Sequence, residues 1–265
     1  MFGKLLNEIS FLREIWRVGI SSVIEYRISF IVQVFSTFIN DIIYFVFWLL
    51  FFNKFQSVAG YGFKDMLLQF SIVTTGFGLA FSLFGNVSRI SYLITQGLLD
   101  NYLSMPRNIL LHVLSSRFSI SPVGDLIFGI MVFFFVGKLT IINIFLWILT
   151  SILVAIIFIM FYVIIGSTAF WLGNSEGIVD TIGGSLVTFS LYPSSVFQGI
   201  SKFLLYTLIP AGFLGIIPVK IVNEKSSQLI LGLIIYTIFL SFLAIKIFYS
   251  GLKRYESGSS ININS

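Results

Sequence analysis

Residues 141–165 read IINIFLWILTSILVAIIFIMFYVII and carry no charged side chain. A helix crossing the hydrocarbon core of a bilayer needs about 20 apolar residues, since each adds about 1.5 Å and the core is about 30 Å thick. This run exceeds that length. A helix of a water-soluble domain keeps a polar face, and none can be drawn here. The chain is therefore expected to be integral to a membrane. Composition agrees: charged residues make up 10% of the chain, against about 25% in soluble domains.

Further spans are expected at 28–52, 66–87, 120–137, 178–196 and 229–249, with the long run extended to Ile141–Leu172. The expected fold is therefore all-α and polytopic, with six transmembrane helices. The first 27 residues do not read as a signal peptide, because charges recur from Lys4 to Arg27 instead of giving way to one apolar block. Between those charges Leu5, Ile9, Leu12, Trp16, Ile20 and Val23 recur at spacings of three and four. That stripe predicts an amphipathic helix lying in the headgroup plane, with Arg13, Trp16 and Arg17 among its residues, either as an anchor alone or as an anchor that also contacts a partner.

Arginine sets the orientation. Arg13, Arg17 and Arg27 precede the first span, Arg89, Arg107 and Arg117 lie between the second and third, and Arg254 follows the last. By the positive-inside rule that side is cytoplasmic, and with six spans both termini share it. Six lysines, among them Lys54, Lys64 and Lys225, fall on the other side, so the lysines follow the rule less well than the arginines. The whole of 1–265 reads as one membrane domain. It comprises the interfacial helix at 1–27, a cytoplasmic loop at 88–119, an outer segment at 197–226 and a polar tail at 250–265.

The composition excludes several chemistries. There is no Cys and only one His, so thiol catalysis is absent and no metal site is expected; His112 sits among leucines. Gly137-Lys138 is followed by Leu139-Thr140, so no Walker A nucleotide site is present. No H-E-x-x-H or G-x-S-x-G occurs, and no catalytic residue is expected. The net charge of +5 reports topology and headgroup contact; no nucleic-acid partner is expected.

Polar residues inside the first span are the strongest functional signal. Gln33, Thr37, Asn40, Asp41 and Tyr44 share one helical face. An ionised Asp41 facing lipid would cost about 2.5–3.5 kcal/mol on insertion scales. The face must turn toward protein or a wet cavity, as a candidate substrate route or as an interhelical hydrogen bond. Asp125 is the obvious second carboxylate. Thr74, Gly78 and Ser82 in the second span place small residues at successive fourth positions, which suits close helix packing.

Three stretches taken in order resemble the membrane subunits of type-2 ABC exporters with six spans: GLLDNYLSMPRNILLHVL at 97–114, FWLGNSEGIVD at 170–180, and LYPSSVFQG at 191–199 followed by LIPAGFLGIIPVKIV at 208–222. The resemblance implies a coupling loop after the second span that docks on a separate ABC ATPase subunit. Gly97, Leu98, Leu99, Tyr102, Leu103, Pro106 and Arg107 would form or flank that contact. The family often has a basic residue just before this proline; here Met105 stands there and Arg107 follows. It also implies a re-entrant hairpin of partial helices in the outer leaflet, marked by Tyr192, Pro193, Pro210 and Pro218. The residues themselves support the hairpin, because prolines and glycines interrupt 200–222 too often for a clean span.

The expected partners are that ATPase, a second permease copy or paralogue, and membrane lipid. ATP and Mg would sit on the ATPase, with no cofactor in this chain. The expected function is export of an amphipathic or hydrophobic substrate across the cell membrane of a prokaryote. An ion-coupled secondary transporter, a membrane-embedded lipid transferase and a scaffold or immunity protein are the alternatives.

Overall fold

The computed structural model describes residues 2–25, 27–58, 60–136, 139–193, 197 and 199–256. The far ends of the third and fifth expected spans (137 and 194–196), residue 198 of the outer segment, and the polar tail beyond Glu256 lie outside the described residues. Within them the regular structure is helical: α1 (Phe2–Glu25), α2 (Arg27–Lys54), α3 (Phe63–Leu83), α4 (Ile90–Thr95), α5 (Asp100–Leu103), α6 (Ile109–Ser115), α7 (Pro122–Val136), α8 (Ile141–Ser167), α9 (Ala169–Leu172), α10 (Glu176–Ser190), α11 (Gly199–Thr207), α12 (Ala211–Leu214), α13 (Ile216–Glu224) and α14 (Ser227–Leu252).

Four helical stretches are long and apolar enough to cross a membrane: α2, α3, Ile141–Leu172 (α8 with α9) and α14. The sequence reading places these at nearly the same limits. For α3 it starts three residues late and runs past the true end at Leu83. The third and fifth expected spans appear as α7 and α10, each 15 residues long. At about 1.5 Å per residue each reaches about 22 Å, less than the hydrocarbon thickness.

Helix α3 is the centre of the bundle. It is flanked by α7 and α8, while α14 covers α8 and α2 leans on α7. Small residues make these approaches close. A Cβ on Gly78 would stand 2.6 Å from the Leu126 nitrogen, and one on Gly129 would stand 2.6 Å from Thr74 Oγ1. The expected packing role of the Thr74, Gly78 and Ser82 stripe is therefore present. Thr74 and Ser82 also turn their hydroxyls back onto the carbonyls of Phe70 and Gly78, which satisfies the polar groups without a partner helix.

Helix α2 is peripheral. Only Asp41 and Trp48 are buried along it, while Ile31, Phe35, Ile43 and Leu50 are exposed. Such a surface is unstable in water and stable against lipid or another apolar protein face.

The outer segment is three partial helices, as the prolines and glycines suggest. Pro210 is the residue before α12. Pro218 behaves differently from the sequence expectation: it is the third residue of α13. In the first turn of a helix the missing N–H has no intrahelical acceptor to lose, so this proline breaks nothing. The interruption falls at Gly215 instead, between α12 and α13.

Candidate functional site

Two regions gather the residues singled out above. The first is the loop joining α3 to α7. A 3-10 turn at Val87–Arg89 leads into α4. The chain then reverses at Gly97, whose φ of +68° is strained for any residue with a side chain. Helix α5 follows, then Pro106, then α6, whose N-terminus is capped by the Asn108 side chain accepting from the Leu111 N–H at 3.0 Å.

The two ends of the loop are stapled together. The Gly85 N–H donates to the Arg117 carbonyl at 2.8 Å, and the Ser119 N–H donates to the Ser82 carbonyl at 3.0 Å. Buried Asn86 donates through Nδ2 to the Val113 carbonyl and to Ser116 Oγ.

This frame sorts the expected coupling residues. Leu99 is fully buried and Leu98 packs against the core. Tyr102 turns inward: its hydroxyl hydrogen-bonds Ser116 Oγ at 2.9 Å and its ring meets His112 edge-on. Leu103 and Met105 point out, 41% and 48% exposed. Arg107 does not project freely. Its guanidinium lies over the Phe11 ring, 4.6 Å from the centroid, and donates to the Asn7 carbonyl at 3.1 Å.

Helix α1 thus touches the loop directly. Phe11 meets His112 edge-on, and Trp16 Nε1 donates to the Leu83 carbonyl at the end of α3. The apolar stripe expected on α1 divides. Leu12 and Trp16 are half-buried, whereas Ile9 and Ile20 are exposed; the side chains of Leu5 and Val23 lie outside the described ones. Arg13 is exposed, and exposed Arg17 lies 3.6 Å from Glu14; such a surface pair adds little stability. Burial and the Arg107 charge hold the His112 imidazole below its ordinary pKa.

The second region is a cavity of about 250 Å³ between α2, α3, α7 and α10. Helix α2 contributes Asn40, Asp41 and Tyr44, and α7 contributes Asp125. Phe70, Thr74 and Phe77 of α3 form the opposite wall, and Thr188 of α10 completes the polar lining. Asp41 is 7% exposed, and its Oδ2 has no hydrogen-bond partner among the described residues.

The expected face on α2 splits here. Asn40, Asp41 and Tyr44 reach the cavity. Gln33 does not: it bonds Ser29 on its own helix in an exposed position. Thr37 acts in packing, donating to the Ser121 carbonyl at 3.1 Å, beside Gly124, where a Cβ would stand 2.8 Å from the Val34 carbonyl.

Toward the C-terminal end of α2 the Tyr44 ring stacks on Phe70, and Trp48 meets Tyr192 edge-on. Sequence reasoning missed Gln69, which governs this corner. Fully buried on α3, it donates through Nε2 to the carbonyls of Ser190 at 2.7 Å and Tyr192 at 3.0 Å. A glutamine inside an apolar span was the available signal. Pro193 follows, buried, and Pro210 and Pro218 are buried too.

A helical bundle with four helical stretches long and apolar enough to cross a bilayer marks a multi-pass membrane protein. The family model for "ABC-2 family transporter protein" matches residues 38–259, most of the chain, and the chain belongs to that family. It is thus a membrane component of an ABC transporter, of the kind that works with an ABC ATPase. No curated protein matches it, and no solved structure does.

Proposed function

We propose that this chain is the permease subunit of an ATP-driven exporter in the cell membrane of a prokaryote. Two copies, or one copy and a paralogue, pair with two separate ATPase subunits that carry ATP and Mg. The chain crosses the membrane six times, with α7 and α10 as the shorter crossings. The segments before α2 and after α14 are cytoplasmic, together with loop 88–119. Helix α1 lies in the headgroup plane, and segment 197–226 dips into the outer leaflet without crossing it.

The observation that carries this reading is the family match joined to the shape of the loop. Its frame is closed on itself, and it leaves Leu103 and Met105 uncovered between Gly97 and Pro106. Exposed apolar side chains on a loop whose frame is hydrogen-bonded mark a docking surface. Closure of the ATPase dimer would move that surface, and the bundle would respond through two states with different contacts. Tyr102 supports the surface from within and Arg107 ties it to α1, so neither needs to touch the ATPase.

The test is reconstitution with the cognate ATPase in vesicles supplied with ATP and no ion gradient. Substrate should accumulate, and Leu103→Asp should stop it while the permease still inserts. Transport that requires an ion gradient and ignores ATP would sink the exporter reading. The meeting of Asp41 and Asp125 at one cavity favours an ion-coupled carrier as the second reading, and the same vesicles decide between the two.

A further inference from the structure

The cavity between α2, α3, α7 and α10 has a one-sided electrostatic character. Two carboxylates line it, Asp41 and Asp125, and among the described residues no Lys, Arg or His does. Asp41 is more than nine-tenths buried, and its Oδ2 is without a hydrogen-bond partner among the described residues. A buried carboxylate with no cation beside it is costly while ionised, and a positive guest would relieve that cost.

The walls say which kind. Tyr44 and Phe70 stack with centroids 5.8 Å apart, and Phe77 lies on the same wall. Aromatic rings offer a negative face to a cation that sheds its water readily, as alkylated ammonium groups do. A small inorganic cation would need a shell of oxygen ligands instead, and among the described residues no group of three or more acidic or imidazole side chains is placed to hold one.

Size narrows the guest further. At about 250 Å³ the cavity is smaller than the roughly 300–1,000 Å³ that encloses a drug-sized ligand. It fits a headgroup and not a whole molecule. Beside it, α2 leaves Ile42, Ile43 and Phe47 exposed, so an alkyl tail leaving the cavity would find apolar surface.

We propose that this cavity binds the ammonium head of a cationic amphiphile, with Asp41 and Asp125 as counter-charges and Tyr44 and Phe70 as the aromatic wall. The assignment gives the exporter proposed above its substrate class and rests on that reading for its purpose. The binding itself can be measured without any ATPase.

The experiment uses the full chain in nanodiscs of zwitterionic lipid and tritiated dodecyltrimethylammonium as the probe, with empty nanodiscs as background. Saturable binding is expected, displaced by unlabelled probe but not by its uncharged carbon isostere or by dodecyl sulfate. Asp41→Asn should weaken binding about thirtyfold or more, the loss expected when one partner of a buried charge pair is removed. Asp41→Glu should restore much of it. Tyr44→Leu should cost about fivefold, the scale of one cation–π contact.

If the uncharged isostere competes as well as the cation, the proposal is overturned. Should Asp41→Asn fail to insert, Asp125→Asn decides, and normal binding by that variant overturns the proposal equally. ATP-driven transport without cation binding would remove this inference and leave the exporter standing. Cation binding without ATP-driven transport would do the reverse.

Discussion

Loop 88–119 and segment 197–226 are of similar length, and both are built of short helices broken by glycine and proline. Both bury apolar side chains in the core, Leu99, Leu110 and Val113 among those of the loop, and they differ in the polar bonds added to that packing. The loop is closed by polar bonds: Gly85 to Arg117, Ser119 to Ser82, Asn86 to Val113 and Ser116, Tyr102 to Ser116. The outer segment is held by apolar side chains, among them Leu205, Leu214, Val219 and Ile221, all buried in the core. Polar bonds hold a chain in shape while its surface stays wet. Apolar packing holds a chain only while it stays covered, and it suits a segment placed against protein and lipid.

Labelling should separate the two regions most sharply. The chain has no Cys, so single cysteines report without background. Ser57→Cys and Glu224→Cys are expected to react in intact cells with an impermeant thiol reagent, and Ser104→Cys is expected to stay silent. The Asn223 side chain donates to Asp65 at 2.8 Å, which joins the outer segment to the start of α3 and puts both on one side. Reaction at Ser104 from outside would put the loop on the wrong face of the membrane.

Next in size is a matched pair of charge insertions. Leu214→Asp places an unpaired carboxylate in the packed outer segment, at a cost of several kcal/mol, and should abolish a monodisperse preparation. Leu103→Asp should leave the preparation monodisperse and stop ATP-driven transport. A well-folded Leu214→Asp protein would end the contrast between the two regions.

Gln69→Leu should lower stability by about 1–2 kcal/mol, since it removes the two hydrogen bonds to the carbonyls of Ser190 and Tyr192, partly offset by removal of the buried Oε1, which has no partner among the described residues. The thermal midpoint in nanodiscs measures it. Tyr102→Phe removes one hydroxyl bond and keeps the ring against His112. About 1 kcal/mol is expected, seen as faster proteolysis within the loop and not in the outer segment. An equal rise in both would mean that the two regions unfold as one.

The smallest effect is that of pH. The folded protein holds His112 below its ordinary pKa of 6.5, so the unfolded chain takes up the proton first as pH falls. The folded loop around His112 should therefore be at full stability above about pH 6.5 and lose stability as pH drops below it toward the depressed folded value. His112→Gln should flatten that dependence. Greater stability of the loop in acid would reverse the sign and refute the assignment.

Several elements could be read directly from residues. Helices α2, α8 and α14 follow from uninterrupted apolar length, which needs no partner to be recognised. Other features needed tertiary information. Asp41 and Asp125 are far apart in sequence, and nothing in either neighbourhood says that they share a cavity. The inward turn of Tyr102 depends on Ser116 and His112, which are placed by α6. Helix α1 shows its stripe in the sequence, but which part of it meets protein depends on distant partners, among them His112, the Leu83 carbonyl and Phe118, which packs where a side chain on Gly19 would be. The prolines of the outer segment marked irregularity correctly and its break imperfectly, because the effect of a proline depends on its position within the turn.

The staple between Gly85 and Arg117, with its companion between Ser82 and Ser119, has a mechanical meaning. It fastens the last turn of α3 to the chain just ahead of α7, and the close approach at Gly78 and Gly129 keeps these helices side by side from there on. A load on the loop cannot pull one helix past the other without opening the staple and driving backbone into backbone. The pair must respond as one stiff rod. A small tilt at its base then becomes a larger sideways excursion at the far end, where Gln69 grips the carbonyls leading into the outer segment.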